Sequence, residues 1–313
     1  MTQRRIIAVC GPTASGKTEY TIRIAEETNG EIVSCDSMQL YKFMDIGSAK
    51  PTKEEQERVR HWLIDEIDPR EEFSVARYRD MAKGYIEDIF KRGKTPIVAG
   101  GTGLYLNSLL YDMDFSDADK DMELRQTLTD EAELFGPEYV HKKLEMIDPI
   151  KASKIHPNNV KKVIRALEGA ALGKGISDFS DLNERTHDYD VLLIGITRDR
   201  EELYERINKR VDIMVDQGLF KEVEKLLQMG LQEEDISMKG IGYKEIIAFY
   251  DGILSKEDAI DKIKQNTRHL AKRQMTWFRR YEDMNWINIS ELGEEKAMEK
   301  IMELIRGKNG RKT

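Results

Sequence analysis

Only two cysteines, Cys10 and Cys35, occur in 313 residues. That scarcity excludes a disulfide scaffold. Each closes a strand-like apolar run, so both read as small core residues of a protein in a reducing cytoplasm. The histidines at 61, 141, 156, 187 and 269 share no ligand spacing with one another or with a cysteine, which argues against structural zinc. No apolar run approaches the roughly 20 residues that span a bilayer. The start of the chain, MTQRRIIAVCGP, is basic and then apolar, yet it runs straight into a glycine-rich loop; a first strand is expected there, not a cleaved signal. Internal repeats and low-complexity stretches are lacking too. So is a positive balance: 50 Lys and Arg against 58 Asp and Glu give a net charge of −8. That total averages over faces pointing different ways. Between Asp261 and Tyr281 seven Lys or Arg stand against one Asp, so one strongly basic face is compatible with an acidic chain.

What is present begins at Arg5. RIIAVC is a strand-like run, and Gly11 to Thr18, GPTASGKT, satisfies G-x-x-x-x-G-K-[ST] at every fixed position, with a helix-compatible segment after it. The loop comprises Gly11, Thr13, Ala14, Ser15, Gly16, Lys17 and Thr18. Its glycines let successive backbone N–H groups converge, the following helix adds its positive end, and Lys17 adds a formal charge. The Thr18 hydroxyl can hold Mg²⁺. Such a cup fits a diphosphate or triphosphate. Phosphoryl transfer, though, needs a further acid at the end of a neighbouring apolar strand. TPIVAGGTG ends in glycines without one, and Asp36 sits on the strand directly after the first helix. A cup that holds a departing diphosphate needs no such acid.

Hydrophobic residues at 40% and charged residues at 35% describe a helix-rich globular protein, long enough for one large α/β domain or two smaller ones. A helix is expected from Lys17 to Thr28 and a second strand at EIVSC. A proline-broken loop and a half-buried strand follow. Ser74 reads as the cap of an amphipathic helix carrying Val75, Tyr78, Met81, Ala82, Tyr85 and Ile89 on one face. TPIVAGG reads as a central parallel strand. DMDFSDADKD is an acidic link. From there to about Asp188 only helical periodicity appears, before YDVLLIGIT resumes the sheet. Charged helices, a short WINI strand, a final helix to Arg306 and a basic tail complete the chain. The expected fold is α/β: a P-loop-containing doubly wound parallel sheet core (1–114 and 189–313) with an inserted all-helical domain (115–188).

GPTASGKT, DSMQLYKFMDIGSAKP, GGTGLYLNSLL, IHPNNVKKVIRALE, RVDIMVDQGLFKEVEKLL, GIGYKE and TRHLAKRQMTWFRR, in this order, resemble the tRNA dimethylallyltransferase family from Ala8 to about Arg280. The resemblance implies transfer of a dimethylallyl group from dimethylallyl diphosphate to N6 of adenine 37 in tRNA, with Mg²⁺ assisting and a cytoplasmic monomer as the acting species. It implies a channel through the core, entered by the diphosphate at one end and by a flipped-out base at the other.

On the residues alone Asp36 is open between a proton acceptor, a Mg²⁺ organiser and a helix cap; the resemblance makes it the base-contacting carboxylate. Arg210, by itself an ordinary helix charge, matches the family's diphosphate-facing arginine. Thr102, in a glycine turn, is expected at the reacting region. With Lys17 these form the expected catalytic set. Ser37, Met38 and Gln39 are expected to line the adenine's approach, with Gln39 offering donor and acceptor to a base edge. Lys264, Arg268 and Lys272 recur every four residues as one exposed stripe, which Arg273, Arg279 and Arg280 extend with Trp277 interleaved, an RNA-contacting pattern. Lys161, Lys162 and Arg165 form a second basic patch, with Lys-Lys where the family commonly has Gln-Arg. Lysine lacks the planar fork for bidentate base contact, so phosphate contact is what remains. The turn KGIGYK, with Lys239, Gly242 and Lys244, is expected to touch tRNA. Three rivals share the loop: a small-molecule kinase, a prenyltransferase acting on free adenine nucleotides, and a nucleotide-dependent RNA-binding switch.

Overall fold

The computed structural model describes residues 4–113, 122–171 and 185–307. The chain divides into two compact units, Met1–Leu110 with Arg185–Thr313, and Tyr111–Glu184, where the sequence reading sets the insert at 115–188. Most of the acidic link and the end of the basic tail lie outside the described residues.

The larger unit opens with β1 (Arg5–Cys10), a β-branched run buried from Ile6 onward. The phosphate loop leads into α1 (Lys17–Thr28), and Asn29 at φ 50° closes that helix. Then come β2 (Gly30–Ser34), α2 (Lys53–Arg58), β3 (His61–Trp62), α3 (Val75–Lys91), β4 (Thr95–Gly100) and α4 (Gly103–Leu110). Ser74 Oγ accepts the Arg77 N–H at the start of α3, as its cap position requires. Helix α2 occupies what reads in the sequence as loop. Its start carries a capping box, with Thr52 accepting from Glu55 N–H and the Glu55 carboxylate accepting from Thr52 N–H. Strand β3 is two residues long because Leu63 and Asp65 adopt left-handed backbone (φ 60° and 57°), which ends the pairing.

The smaller unit holds α5 (Met122–Phe135), α6 (Pro137–Ile147), α7 (Pro149–Ala152) and α8 (Val160–Ala171) around Leu128, Val140, Leu144, Val163 and Leu167. Pro137 and Pro149 each open a helix, where the missing N–H costs nothing. The larger unit resumes with β5 (Asp190–Thr197), α9 (Arg200–Asp216), α10 (Leu219–Gln228), a 3₁₀ turn at Ser237–Lys239, α11 (Tyr243–Tyr250), α12 (Lys256–Phe278), β6 (Asn285–Asn288), α13 (Ile289–Leu292) and α14 (Glu294–Ile305).

All six strands are parallel, in the order β3-β2-β4-β1-β5-β6. Alternation along the strands feeds two cores. Ile7, Val9, Ile32, Ile97, Ile194 and Ile196 meet Ile22 and Ile24 of α1 and Ala297 and Ile301 of α14 on one face. Each such burial stabilises the fold by about 1.5–3 kcal/mol. On the other face Tyr78 of α3 stacks on Tyr105 of α4 with ring centroids 4.1 Å apart, and its hydroxyl donates to Ser34 O. β1 pairs Cys10 with Gly100 of β4 and Gly195 of β5. The loops after β1, β2, β4 and β5 therefore gather at one edge, where the connections from the central strand diverge. Open α/β sheets bind ligands there.

Candidate active site

The glycine that opens the phosphate loop is dictated by its neighbour: Gly11 has φ +147°, and a Cβ on it would stand 2.1 Å from Ile196 O. At the loop's other end Gly16 (φ 99°) precedes α1 without any side-chain cap. The first N–H groups of that helix are left for an anion, and its dipole favours negative charge. Ser15 Oγ is the one buried side-chain polar atom among the described residues without a hydrogen-bond partner. Two arginines hold the loop from outside, Arg198 Nε donating to Ser15 O (3.1 Å) and Arg206 Nε to Ala14 O (3.0 Å).

Beside the loop lies a cavity of ≈ 90 Å³ lined by Thr13, Lys17, Thr18, Asp36, Gln39, Arg210 and Gln274, with Ile32, Ala49, Pro51 and Ala99 as its apolar part. Asp36 and the phosphate loop thus share one chamber. The aspartate Oδ1 accepts the Met38 N–H at 2.9 Å. Burial pushes its carboxyl above the ordinary range, against the opposing pull of the Met38 N–H, Lys17 and Arg210. Lys17 Nζ donates to Pro12 O at 2.7 Å. Burial first, and Arg210 second, bring its ammonium down to about 8. Burial likewise lowers Arg210, with Arg206 adding to the effect.

The remaining expected residues fall into three groups. Thr102 Oγ1 accepts the Ser37 N–H at 3.0 Å, so its hydroxyl fixes the segment after β2 rather than facing the cavity. Gln39 is pinned at both ends, Oε1 accepting from Ser34 Oγ (3.0 Å) and Nε2 donating to Ala49 O (3.2 Å); one lone pair and one N–H remain for a base edge. The turn from Lys239 to Lys244 rests against this segment, since a Cβ on Gly240 would meet Met38 Cε at 2.6 Å. Lys239 and Lys244 are exposed, and Gly242, at φ 100°, starts α11.

The basic stripe of α12 is only partly exposed, not exposed throughout as the spacing predicts. Lys264 pairs with Asp212 (2.6 Å) and Arg268 donates to Asn208 Oδ1 (2.6 Å), so both are half-buried against α9. Lys272 and Arg273 are exposed. Arg280 lies over the Trp277 ring, 4.5 Å from its centroid. Within the smaller unit, Lys161 is an exposed residue of α8, with Lys162 and Arg165 half-buried beside it.

Sequence reasoning missed Arg198, Arg206 and Gln274, which hold the loop. The signal for Gln274 was its place on the buried face of α12, between Ala271 and Phe278.

Residues 39–281 match the family described as IPP transferase. The chain belongs to the IPP transferase family. It is 52% identical over 303 residues to a tRNA dimethylallyltransferase of Acetivibrio thermocellus, covering 96% of each chain. The crystal structure of a Bacillus halodurans tRNA isopentenylpyrophosphate transferase superimposes with a TM-score of 0.74 at 41% identity, over 98% of this chain and 97% of that one. A eukaryotic dimethylallyltransferase acting on tRNA reaches 0.82 at 29% identity, over 97% of this chain and 80% of that one. Among the described residues no group of three or more His, Cys, Asp or Glu could hold an ion. Thr18 and Asp36 in the cavity suit Mg²⁺ only where a diphosphate supplies most of the oxygens. No helix of the described residues is long and apolar enough to cross a membrane.

Proposed function

We propose that this protein transfers a dimethylallyl group from dimethylallyl diphosphate to N6 of adenine 37 in tRNA and releases diphosphate. The observation that carries the reading is the shared chamber: a carboxylate and a phosphate loop line one cavity together with the apolar Ile32, Ala49, Pro51 and Ala99. The diphosphate sits in the loop, against the α1 N-terminus, Lys17 and Arg210. The five-carbon chain lies along Ile32, Ala49, Pro51 and Ala99. The adenine reaches Asp36 from the side of Ser37, Met38 and Gln39.

The bond between C1 of the dimethylallyl group and the diphosphate oxygen breaks, and the electron pair leaves with the diphosphate. N6 supplies the pair for the new C–N bond, and its proton passes to the Asp36 carboxylate. An exocyclic amine is a poor nucleophile because its lone pair is delocalised into the ring, so a positioned acceptor contributes about 10²- to 10⁴-fold. Lys17 and Arg210 act on charge that grows as the C–O bond breaks, so their effect is concentrated in the transition state. The Thr18 hydroxyl would hold Mg²⁺ together with the diphosphate, and the ion would neutralise charge on the leaving group.

Lys272 and Arg273 on α12, Arg280 just past its end, Lys239 before α11 and Lys244 in its first turn, and Lys161, Lys162 and Arg165 on α8 supply phosphate contacts to the tRNA. Thr102 acts by holding Ser37 in place. Phosphoryl transfer is disfavoured because β4 runs into Gly100 and Gly101 and brings no second acid to the loop. The test is an incubation of the protein with dimethylallyl diphosphate, Mg²⁺ and unmodified tRNA, followed by nucleoside mass analysis. An adenosine heavier by one prenyl unit at position 37 is expected. Hydrolysis of ATP with no prenylated nucleoside would sink the reading.

A further inference from the structure

Gln274 lies on the face of α12 that carries the buried Ala271 and Phe278, and both ends of its amide are used. Oε1 accepts the Thr13 N–H of the phosphate loop at 2.8 Å. Nε2 donates to Gly101 O, in the turn after β4, at 3.0 Å. That turn continues into Thr102, which holds the Ser37 N–H beside Asp36. One side chain therefore joins the wall that grips the diphosphate to the wall that carries the proton acceptor, and it lines the cavity between them. The backbone around it is shaped to admit it. A Cβ on Gly101 would stand 2.3 Å from Gln274 Nε2, and one on Gly103 would stand 2.1 Å from Trp277 Cδ1, one turn further along α12.

We propose that Gln274 is a positioning residue that fixes the span between the phosphate loop and Asp36, and with it the alignment of the departing diphosphate, C1 and the attacking N6. The inference rests on the prenyl-transfer reading above. The Thr13 N–H is committed to Gln274, so this amide sets the loop's register instead of binding phosphate. Losing the tie frees the two walls to drift apart while Asp36, Lys17 and Arg210 keep their side chains. A misplacement of about 1 Å between reacting atoms costs about 10²-fold in rate while leaving binding nearly unchanged. The signature is thus a fall in kcat with little change in KM.

Three variants separate this from a merely structural glutamine. Gln274→Met keeps the length and removes both hydrogen bonds. Gln274→Glu keeps the acceptor for Thr13 but cannot donate to Gly101. Gly101→Ala leaves Gln274 intact and pushes its amide aside, since the clash is with the far end of a flexible side chain. Folding is checked by circular dichroism at the assay temperature, and steady-state kinetics use dimethylallyl diphosphate and an anticodon stem-loop RNA. Gln274→Met and Gly101→Ala are each expected to lose about 10²-fold in kcat, with both KM values within about threefold. Their double variant is expected to be no slower than the slower single, because both break one tie. Gln274→Glu, with one bond left, is expected to lose kcat as well. Wild-type kcat in folded Gln274→Met overturns the inference; so does a loss confined to KM, or losses that multiply in the double variant. If Gln274→Met fails to fold, Gly101→Ala and Gln274→Glu decide by the same kcat-against-KM criterion. A wild-type protein that prenylates RNA while the variants match it sinks only this inference. A wild type that prenylates nothing sinks the underlying reading.

Discussion

Replacing Asp36 by asparagine tests the chemistry with the least disturbance to the fold. Oδ1 of the new amide still accepts the Met38 N–H, a bond of 2.9 Å in the native chain, so the segment after β2 keeps its anchor. What disappears is the capacity to take a proton. A loss of about 10²- to 10⁴-fold in kcat follows, or roughly 3–5 kcal/mol at 1.36 kcal/mol per decade. The pH profile sharpens the test. In the native protein the Asp36 carboxyl is raised by burial, so it is protonated, and unable to accept, below that raised value; kcat/KM should climb as pH rises through it. At the other end Lys17, lowered to about 8, loses its charge as pH rises further, and kcat/KM should fall there. Asp36→Asn should abolish the acid limb. It should also move the alkaline limb to lower pH, because Asp36 is one of the groups that hold the Lys17 proton on. Single-turnover prenyl transfer measured from pH 5 to 10 reads both effects. An asparagine variant with kcat within about threefold of native, or one that keeps the acid limb, would show that another group takes the proton.

Arg273→Glu and Arg280→Glu should weaken tRNA binding and flatten its salt dependence while leaving the affinity for dimethylallyl diphosphate alone; equal tRNA affinity in a filter-binding titration counts against the α12 face. Phe43, 52% exposed, holds a left-handed φ of 65°, a strain of roughly 1 kcal/mol or more for a residue with a side chain. Phe43→Gly should therefore match or exceed native stability by up to about 1 kcal/mol, whereas Phe43→Ala keeps the strain and loses the ring; equal destabilisation by the two in urea titrations refutes the strain. Glu31 is buried between Arg92, Lys94 and the Trp62 N–H, which hold its carboxyl down at about 2 against an ordinary 4.5. A depressed carboxyl contributes stability that is present above 4.5 and is lost as pH falls towards 2. Because both cations are about a third exposed, the contribution is about 1–3 kcal/mol. Glu31→Gln should lose that amount at neutral pH and show a flatter acid limb, and an unchanged limb would place the acid sensitivity elsewhere.

The sheet was legible because β1, β2 and β4 are short, largely buried apolar runs bounded by turn residues. The phosphate loop was legible because a tight anion cup has few sequence solutions. Two misreadings have specific causes. Helix α2 hid behind Pro51 and a run of charges, although Thr52 and Glu55 spell a capping box. The α12 stripe read as solvated because periodicity reports which residues share a face, not what that face meets. Here α9 brings Asp212 and Asn208 to Lys264 and Arg268. Gln274 was harder still. Its partners, Thr13 and Gly101, lie 261 and 173 residues away in sequence, and no local pattern encodes a bond between them.

The opposed shifts of Asp36 and Lys17 have one origin. Both charges sit below the protein surface, and burial disfavours charge of either sign. In the free protein each ion is held by a few neighbours: the Met38 N–H for the carboxylate, Pro12 O for the ammonium. A diphosphate arriving in the loop changes that balance unequally. Its negative charge secures the proton on Lys17 and, by the same field, makes the Asp36 carboxylate a stronger base. In the proposed reaction, the substrate to be cleaved thereby tunes the group assigned to accept the proton from N6. This ordering needs both residues in one chamber, and a cup alone, without Asp36 facing it, would bind the same anion to no chemical end.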